Sequence, residues 1–377
     1  MSDRGGRRLP FLLFFTVLVI VPSSIIGFTP AILGAVLFAV ANFAYQAALI
    51  FYDATLKTVS RPESRGRLSG IGVGIGYLGT ITAGVLFLIL IQLGVIVLDG
   101  VFVVAGILFA VFAVPIFVFV REPATSDERF HLRDVPAAMG QLPRSIRDAR
   151  AIPGLLRFLV ARFFYSDAVN TIIVVMSVIA VRAMGLTESQ FVVISLMLTV
   201  IAVLASFVWG WLVDRFGPKR TLLWVLASWA VGLILGAIAI GIGPSVSGIA
   251  IFLVAGAIVG SGLGGVQVAD RVFMIRLSPP AKLGEFFGLY GLVGKGSQVV
   301  GQSIYGLLIF LLFDTLGNGA YQIAVLSLIV TMIIGYWLIR PVSDRWGEHV
   351  ATDDDGINAA IPPERLAPMS APLEPRG

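Results

Sequence analysis

Ten separate apolar stretches, each about as long as a bilayer is thick, constrain this chain more than any other feature. They run roughly over 10–28, 31–52, 69–92, 100–120, 158–181, 191–213, 221–242, 248–269, 286–312 and 320–340. A hydrocarbon core about 30 Å thick takes about 20 apolar residues per helix. With no water inside the core, each span must satisfy its own backbone, which a helix does. Only 13% of the residues are charged, against about 25% in soluble domains. The fold class is therefore all-α and polytopic in a membrane. The arginines ahead of the first stretch superficially fit a signal peptide, but the apolar region is too long and no polar mature domain follows a cleavage site. With no cysteine, and with His131 and His349 both in polar segments, neither a disulfide scaffold nor a metal site is expected. No cofactor is expected either.

The basic residues orient the chain. With residues 1–9 placed inside and the spans alternating, the outside carries only Arg182, and apart from Arg340 at the inner end of the last span only Arg162 and Lys295 fall within spans. All other Lys and Arg then lie inside, the pattern of the positive-inside rule. Both ends should be cytoplasmic, and the surplus of 27 basic over 22 acidic residues needs no nucleic-acid partner. The longest interior loop, 121–157, divides the spans into four and six. It holds either a short amphipathic helix along the inner membrane surface or a flexible linker. The expected organisation is an N-terminal part over 1–120, this loop, a C-terminal part over 158–340, and a disordered cytoplasmic tail over 341–377.

An internal repeat sharpens the fold. Residues 214–220 read Asp-Arg-Phe-Gly-Pro-Lys-Arg, and residues 3–8 read Asp-Arg-Gly-Gly-Arg-Arg, an offset of 211 residues. Ser60, Pro62, Gly66 and Gly70 recur as Ser278, Pro280, Gly284 and Gly288, an offset of 218 residues. Two motifs repeating in the same order at nearly one offset point to duplication. Both copies start on the same side, so the halves are parallel repeats. Two spans precede the motif in the second half and none in the first. That leads to an expectation that the first two helices of a twelve-helix protein are missing, through a misassigned start, a true truncation, or division between two chains.

Residues 210–220, Gly-Trp-Leu-Val-Asp-Arg-Phe-Gly-Pro-Lys-Arg, resemble the signature loop of the major facilitator superfamily. A narrower resemblance lies in Phe51-Tyr52-Asp53-Ala54-Thr55-Leu56, Arg65-Gly66-Arg67-Leu68-Ser69-Gly70, Tyr165-Ser166-Asp167-Ala168-Val169-Asn170, Glu285-Phe286-Phe287-Gly288-Leu289-Tyr290 and Gly294-Lys295. These look like the autophagy-related vacuole effluxer family and its bacterial relatives, over about residues 3–340. Asp53 stands where that family commonly has an amide, and Lys57 where it commonly has a carboxylate. The resemblance implies a major-facilitator-like pair of parallel halves, here with about ten helices (four plus six) instead of twelve. It implies secondary transport of a small solute by alternating access, with efflux of amino acids or related metabolites suggested by the eukaryotic relatives.

Polar residues inside apolar spans are costly and so are the candidates for function. Asp214, Arg215, Gly217, Lys219 and Arg220 form the expected gating motif, with Asp3 and Arg4 as its first-half copy. The alternative is plain positive-inside anchoring. Asn42 and Gln46 share one helix face, which Asp53 continues; they line a cavity or hydrogen-bond a neighbouring helix. Tyr165, Asp167 and Asn170 lie together as a solute-binding or proton-coupling group, unless Arg162 simply pairs with Asp167. Lys295 and Gln298 form a stripe, with Gln302, where a solute carboxylate, Asp167 or Asp270 would satisfy the ammonium. Gln267 shares a face with Asp270 and Arg271, both expected at the membrane interface. Glu285 is expected to cap its helix. No Gly-x-x-x-x-Gly-Lys loop exists, which disfavours an ATP-driven pump, and no catalytic constellation is visible. The expected partners are membrane lipid, a small-molecule solute and a coupling proton, in a bacterial inner membrane. A transport-inactive, transporter-like protein working only in an assembly is the alternative.

Overall fold

The computed structural model describes residues 8–97, 99–120, 142–279 and 282–343. Among these, ten helices are long and apolar enough to cross a membrane. In chain order the helices are α1 (Leu9–Ile25), α2 (Ala31–Val59), α3 (Arg65–Gln92), α4 (Gly100–Phe119), a short α5 (Leu142–Ala151), α6 (Leu155–Val178), α7 (Glu188–Phe216), α8 (Pro218–Ile242), α9 (Val246–Leu277), α10 (Leu283–Leu316) and α11 (Gly319–Ile339). A five-residue π-helical turn, Ile179–Ala183, extends α6.

Several helices run past the apolar windows that reveal them. α3 begins at Arg65 and α9 continues to Leu277, so charged residues at these ends are held within helices rather than in loops. Local chemistry fixes the boundaries. Thr187 makes a reciprocal capping box with Gln190 at the start of α7, and Ser245 accepts from the Gly248 amide at the start of α9. Gly217 sits at φ +87°, where it ends α7 and begins α8, and Pro218 occupies the first helical position. The Gly-Pro pair inside the signature loop is thus the hinge between two antiparallel spans.

The packing departs from two independent bundles. α1 packs on α2 and α4, while α6 and α8–α11 pack on one another around a core that includes Phe158, Tyr165, Trp229, Phe273 and Phe286. α3 touches α2 and α4 only sparsely and lies instead along α7, with a further contact to α9. Small residues allow this. A Cβ on Gly66 would come 2.6 Å from the Gly210 carbonyl oxygen, and one on Gly210 would come 2.7 Å from the Gly66 carbonyl oxygen. Close backbone approach through small residues is how helices associate where lipid leaves little hydrophobic drive. α2 meets α10 more lightly, at Ile50 and Gly291.

Part of the 121–157 segment is the amphipathic helix α5. It buries Ser145 and Ala149 and is tied to the rest by an ion pair between Asp148 and Lys282. The residues of the expected tail beyond 343 lie outside the described residues, as do Asp3 and Arg4.

Candidate functional site

The signature loop works as a helix cap in trans. α3 begins with Ser64 at its N-cap position, but that side chain caps nothing. The first amides of a helix have no partner within it. Asp214, in the last turn of α7, supplies one. Its Oδ1 accepts from the Gly66 amide at 2.6 Å, and its Oδ2 accepts from the Arg67 amide at 2.9 Å and from Arg67 Nε at 3.2 Å. A carboxylate here also opposes the positive end of the helix dipole. The other basic residues of the loop point elsewhere. Arg215 lies over the Trp211 ring, 5.4 Å from its centroid, and Lys219 and Arg220 sit in the first turn of α8, half-buried and exposed.

A second contact lies deeper at the same, basic end of the bundle. Asp270 and Arg271 are neighbours on α9, so their side chains diverge by about 100°. Asp270, 1% exposed, turns toward α6 and α10. It pairs with Arg162 and accepts from the hydroxyls of Tyr165, at 3.2 Å, and Tyr290. The Arg162 guanidinium also stacks 3.3 Å from the centre of the Tyr290 ring. Arg271 turns toward α2, where its Nη1 stands 3.3 Å from Asp53 Oδ1, both side chains largely buried. Each of these four charges thus has an opposite partner, as a low-dielectric setting demands. One turn further along α9, Gln267 Nε2 donates to the Tyr77 hydroxyl of α3 at 2.7 Å. Both residues, expected at the membrane interface, lie within α9, which runs on to Leu277, and both are packed against neighbouring helices.

Beyond the Ile50–Gly291 contact, a third group of residues follows. Gln46 and Lys295 lie one turn further along α2 and α10, then Asn42 and Gln298. Lys295 is about 18 Å from the start of α10 by helical rise. Asn42 and Lys295 are exposed, and Gln46 and Gln298 half-buried. Lys295 Nζ donates to Gln298 Oε1 at 3.3 Å, and the described ion pairs include none for it. The expected alternatives of a pair with Asp167 or Asp270 do not form. Asn170 Nδ2 points at the Gly294 carbonyl, at 3.5 Å. Asp167 stands apart from this group. It is 4% exposed, wedged against Gly301, and Arg162 turns away from it toward Asp270.

Reasoning from spans located the polar residues but missed who pairs with whom. Tyr77 and Tyr290 carry no signal that separates them from other aromatics in apolar helices. The adjacent Asp270-Arg271 pair did, since two opposite charges side by side on a helix can each find a partner on a different neighbour. Among the described residues no group of three or more His, Cys, Asp or Glu could hold a metal.

Comparison with known proteins follows the same lines. The chain is 26% identical over 376 residues to the uncharacterized MFS-type transporter YxiO of Bacillus subtilis, spanning 95% of this chain and 82% of that one. It is 26% identical over 270 residues to autophagy-related protein 22 of Coccidioides immitis, spanning 64% of this chain but only 43% of the fungal one. In fold it resembles the human organic anion transporter MFSD10, with a TM-score of 0.69 at 14% identity over 90% of this chain and 78% of that one. It also resembles the major facilitator superfamily transporter FucP in its outward conformation, with a TM-score of 0.62 at 16% identity over 88% of this chain and 82% of that one. These relatives and neighbours are transporters, not enzymes, and the fold is that of the major facilitator superfamily. A family model described as vacuole effluxer Atg22 like matches residues 1–348, and this multi-pass membrane transporter belongs to that family.

Proposed function

We propose that the chain moves a small, carboxylate-bearing solute by alternating access, exporting amino acids or related metabolites across a bacterial inner membrane. The halves are residues 1–120 and 158–340, joined by 121–157. The observation that carries this reading is Lys295. It is an exposed cation deep in a span, one turn along α10 from the Ile50–Gly291 contact with α2, with only the Gln298 amide for a hydrogen-bond partner. A cation at such depth is costly unless it faces a polar cavity, and a solute carboxylate would complete it with a charge-assisted bond. Asn42, Gln46, Gln298 and Asn170 supply neutral hydrogen-bonding groups near its level, and Tyr165 donates to Asp270 instead.

Three bonds between the first four spans and the last six support a closed cytoplasmic side. Asp214 holds the start of α3, Arg271 pairs with Asp53, and Gln267 bonds Tyr77. The Asp214 and Arg271 bonds lie toward the basic end, which the positive-inside rule assigns to the cytoplasm, and the Gln267–Tyr77 bond lies about 18 Å along α3, level with Lys295 by helical rise. Opening that side requires all three to break. Alternating access needs such a barrier that forms on one side at a time. Asp3 and Arg4 would serve the opposite copy of the loop.

The test is solute counterflow in proteoliposomes preloaded with a panel of amino acids, their amides and other small carboxylates. Exchange of at least one carboxylate, lost or weakened about 10- to 100-fold in Lys295→Met as one charge-assisted bond implies, supports the reading. Equal effects on a carboxylate and its amide analogue would show that Lys295 does not hold the acid group.

A further inference from the structure

Resting on the transport reading, we propose that Asp167 is a proton-carrying site buried among α6, α10 and α11, separate from the solute residues, through which a proton gradient drives the cycle. The carboxyl is 4% exposed and its Oδ1 has no hydrogen-bond partner. Its neighbour on the next turn of α6, Thr171, is fully buried, and its hydroxyl is also unpartnered. From α10, Gln302 Nε2 and the Tyr305 hydroxyl are buried without partners as well. Four orphan polar atoms on two adjoining helices are unusual, because buried polar groups are nearly always paired. Gly301 brings the helices together here. A Cβ at that position would overlap the Asp167 carboxyl and come 2.8 Å from Thr171 Oγ1.

No cation answers this carboxyl. On α6, Arg162 is held by Asp270, and on α10, Lys295 is turned to Gln298. α11 contributes Thr331 and contains no charged residue. A bare carboxylate in such a place is heavily disfavoured. The neutral acid fits, since it removes the charge that no group here answers. A metal cation does not fit, because the Gly301 backbone fills the space beside Oδ1 that its oxygen ligands would need. The step is a simple transfer: Oδ1 takes one proton from one side of the membrane and releases it to the other, with no change in oxidation state. α10 links this site to the solute, because it carries Gly301 on one face and Lys295 and the α2 contact on others. A movement of α10 against α2 therefore also shifts Gly301 against Asp167.

The experiment uses the full chain in proteoliposomes and reads protonation and transport separately. Infrared spectroscopy of the wild type at neutral pH should show a carboxylic-acid carbonyl band that Asp167→Asn lacks. Asp167→Asn should retain solute exchange within about twofold while losing acceleration by an imposed proton gradient, the behaviour of a coupling group that binds no solute. Thr171→Val, which leaves the carboxyl in place, should shift the pH dependence of driven transport and leave exchange intact. A missing band in the wild type would overturn the proposal, and so would undiminished proton driving in Asp167→Asn or driving by a sodium gradient alone. If the band is present and no solute moves, the transport reading fails while the protonated site stands.

Discussion

Removing the Asp214 carboxylate should open the basic end of the bundle, by an amount the structure sets. The group accepts two backbone amides at the start of α3, at 2.6 and 2.9 Å. Substituting a capping residue by alanine costs about 0.5–2 kcal/mol, and hydrogen bonds to a charged group contribute about 1.5–3 kcal/mol. The Arg67 side chain is 61% exposed, so its share of the ion pair is at most about 1 kcal/mol and largely screened. Water replaces part of the loss once the end opens, so about 2 kcal/mol is a fair figure for Asp214→Ala, or about 30-fold in the ratio of open to closed forms. The chain has no cysteine, which makes a single introduced thiol an unambiguous reporter. Ser69 is 1% exposed on α3 beside the α7 crossing, so Ser69→Cys is protected while the end stays closed. While the open form is the minor one, labelling by a membrane-impermeant maleimide follows its population. Asp214→Ala should raise that rate about 30-fold. An unchanged rate in a variant that purifies and melts like the parent would refute the claim that this carboxylate holds the two parts together.

Three further outcomes follow from the same geometry. Asp53→Ala or Arg271→Ala strands the opposite charge and should cost about 3–5 kcal/mol; exchanging the two residues should recover part of the lost thermal stability, measured by unfolding in detergent. Gly210→Leu drives a side chain into the α3 backbone, and overpacking of this kind costs about 1–3 kcal/mol. It should lower the melting temperature and raise Ser69→Cys labelling together, whereas the same change at Gly236, where no atom lies within 4 Å of the new Cβ, should do neither. Thiols at Ser343 and at Gly243 should be labelled from opposite faces of the membrane, Ser343 from the cytoplasm; labelling of both from one face would contradict the span order.

The spans, their number and their order were legible because a bilayer acts as a solvent on each helix separately. An apolar window of the right length declares itself whatever its neighbours are. The turn at Gly217-Pro218 was legible for a similar reason, since its backbone demands are local. Asn42, Gln46, Asp167, Lys295 and Gln298 stood out as polar residues in apolar helices, and Asp214 as part of a repeated loop. Their partners were not legible. Arg162 lies five residues from Asp167, about 140° round the helix, and turns to Asp270, 108 residues away, a partner that spacing along the chain does not reveal. The burial of Asp270 and Arg271 within α9 was not legible either, because hydropathy marks the end of the apolar window, not the end of the helix.

By itself the sequence determined a polytopic helical membrane protein with a duplicated loop, because hydrophobic length, charge bias and repetition need no knowledge of packing. Tertiary structure decided that α3 leaves α2 and α4 to lie along α7, and that Asp214 caps it there. It also decided that one residue of the Asp270-Arg271 pair turns inward and the other across to Asp53. The physical reason is that lipid rewards every apolar helix face almost equally. The choice of neighbour then falls to close backbone contacts at Gly66 and Gly210 and to buried charges that must find partners, and both are properties of two helices at once.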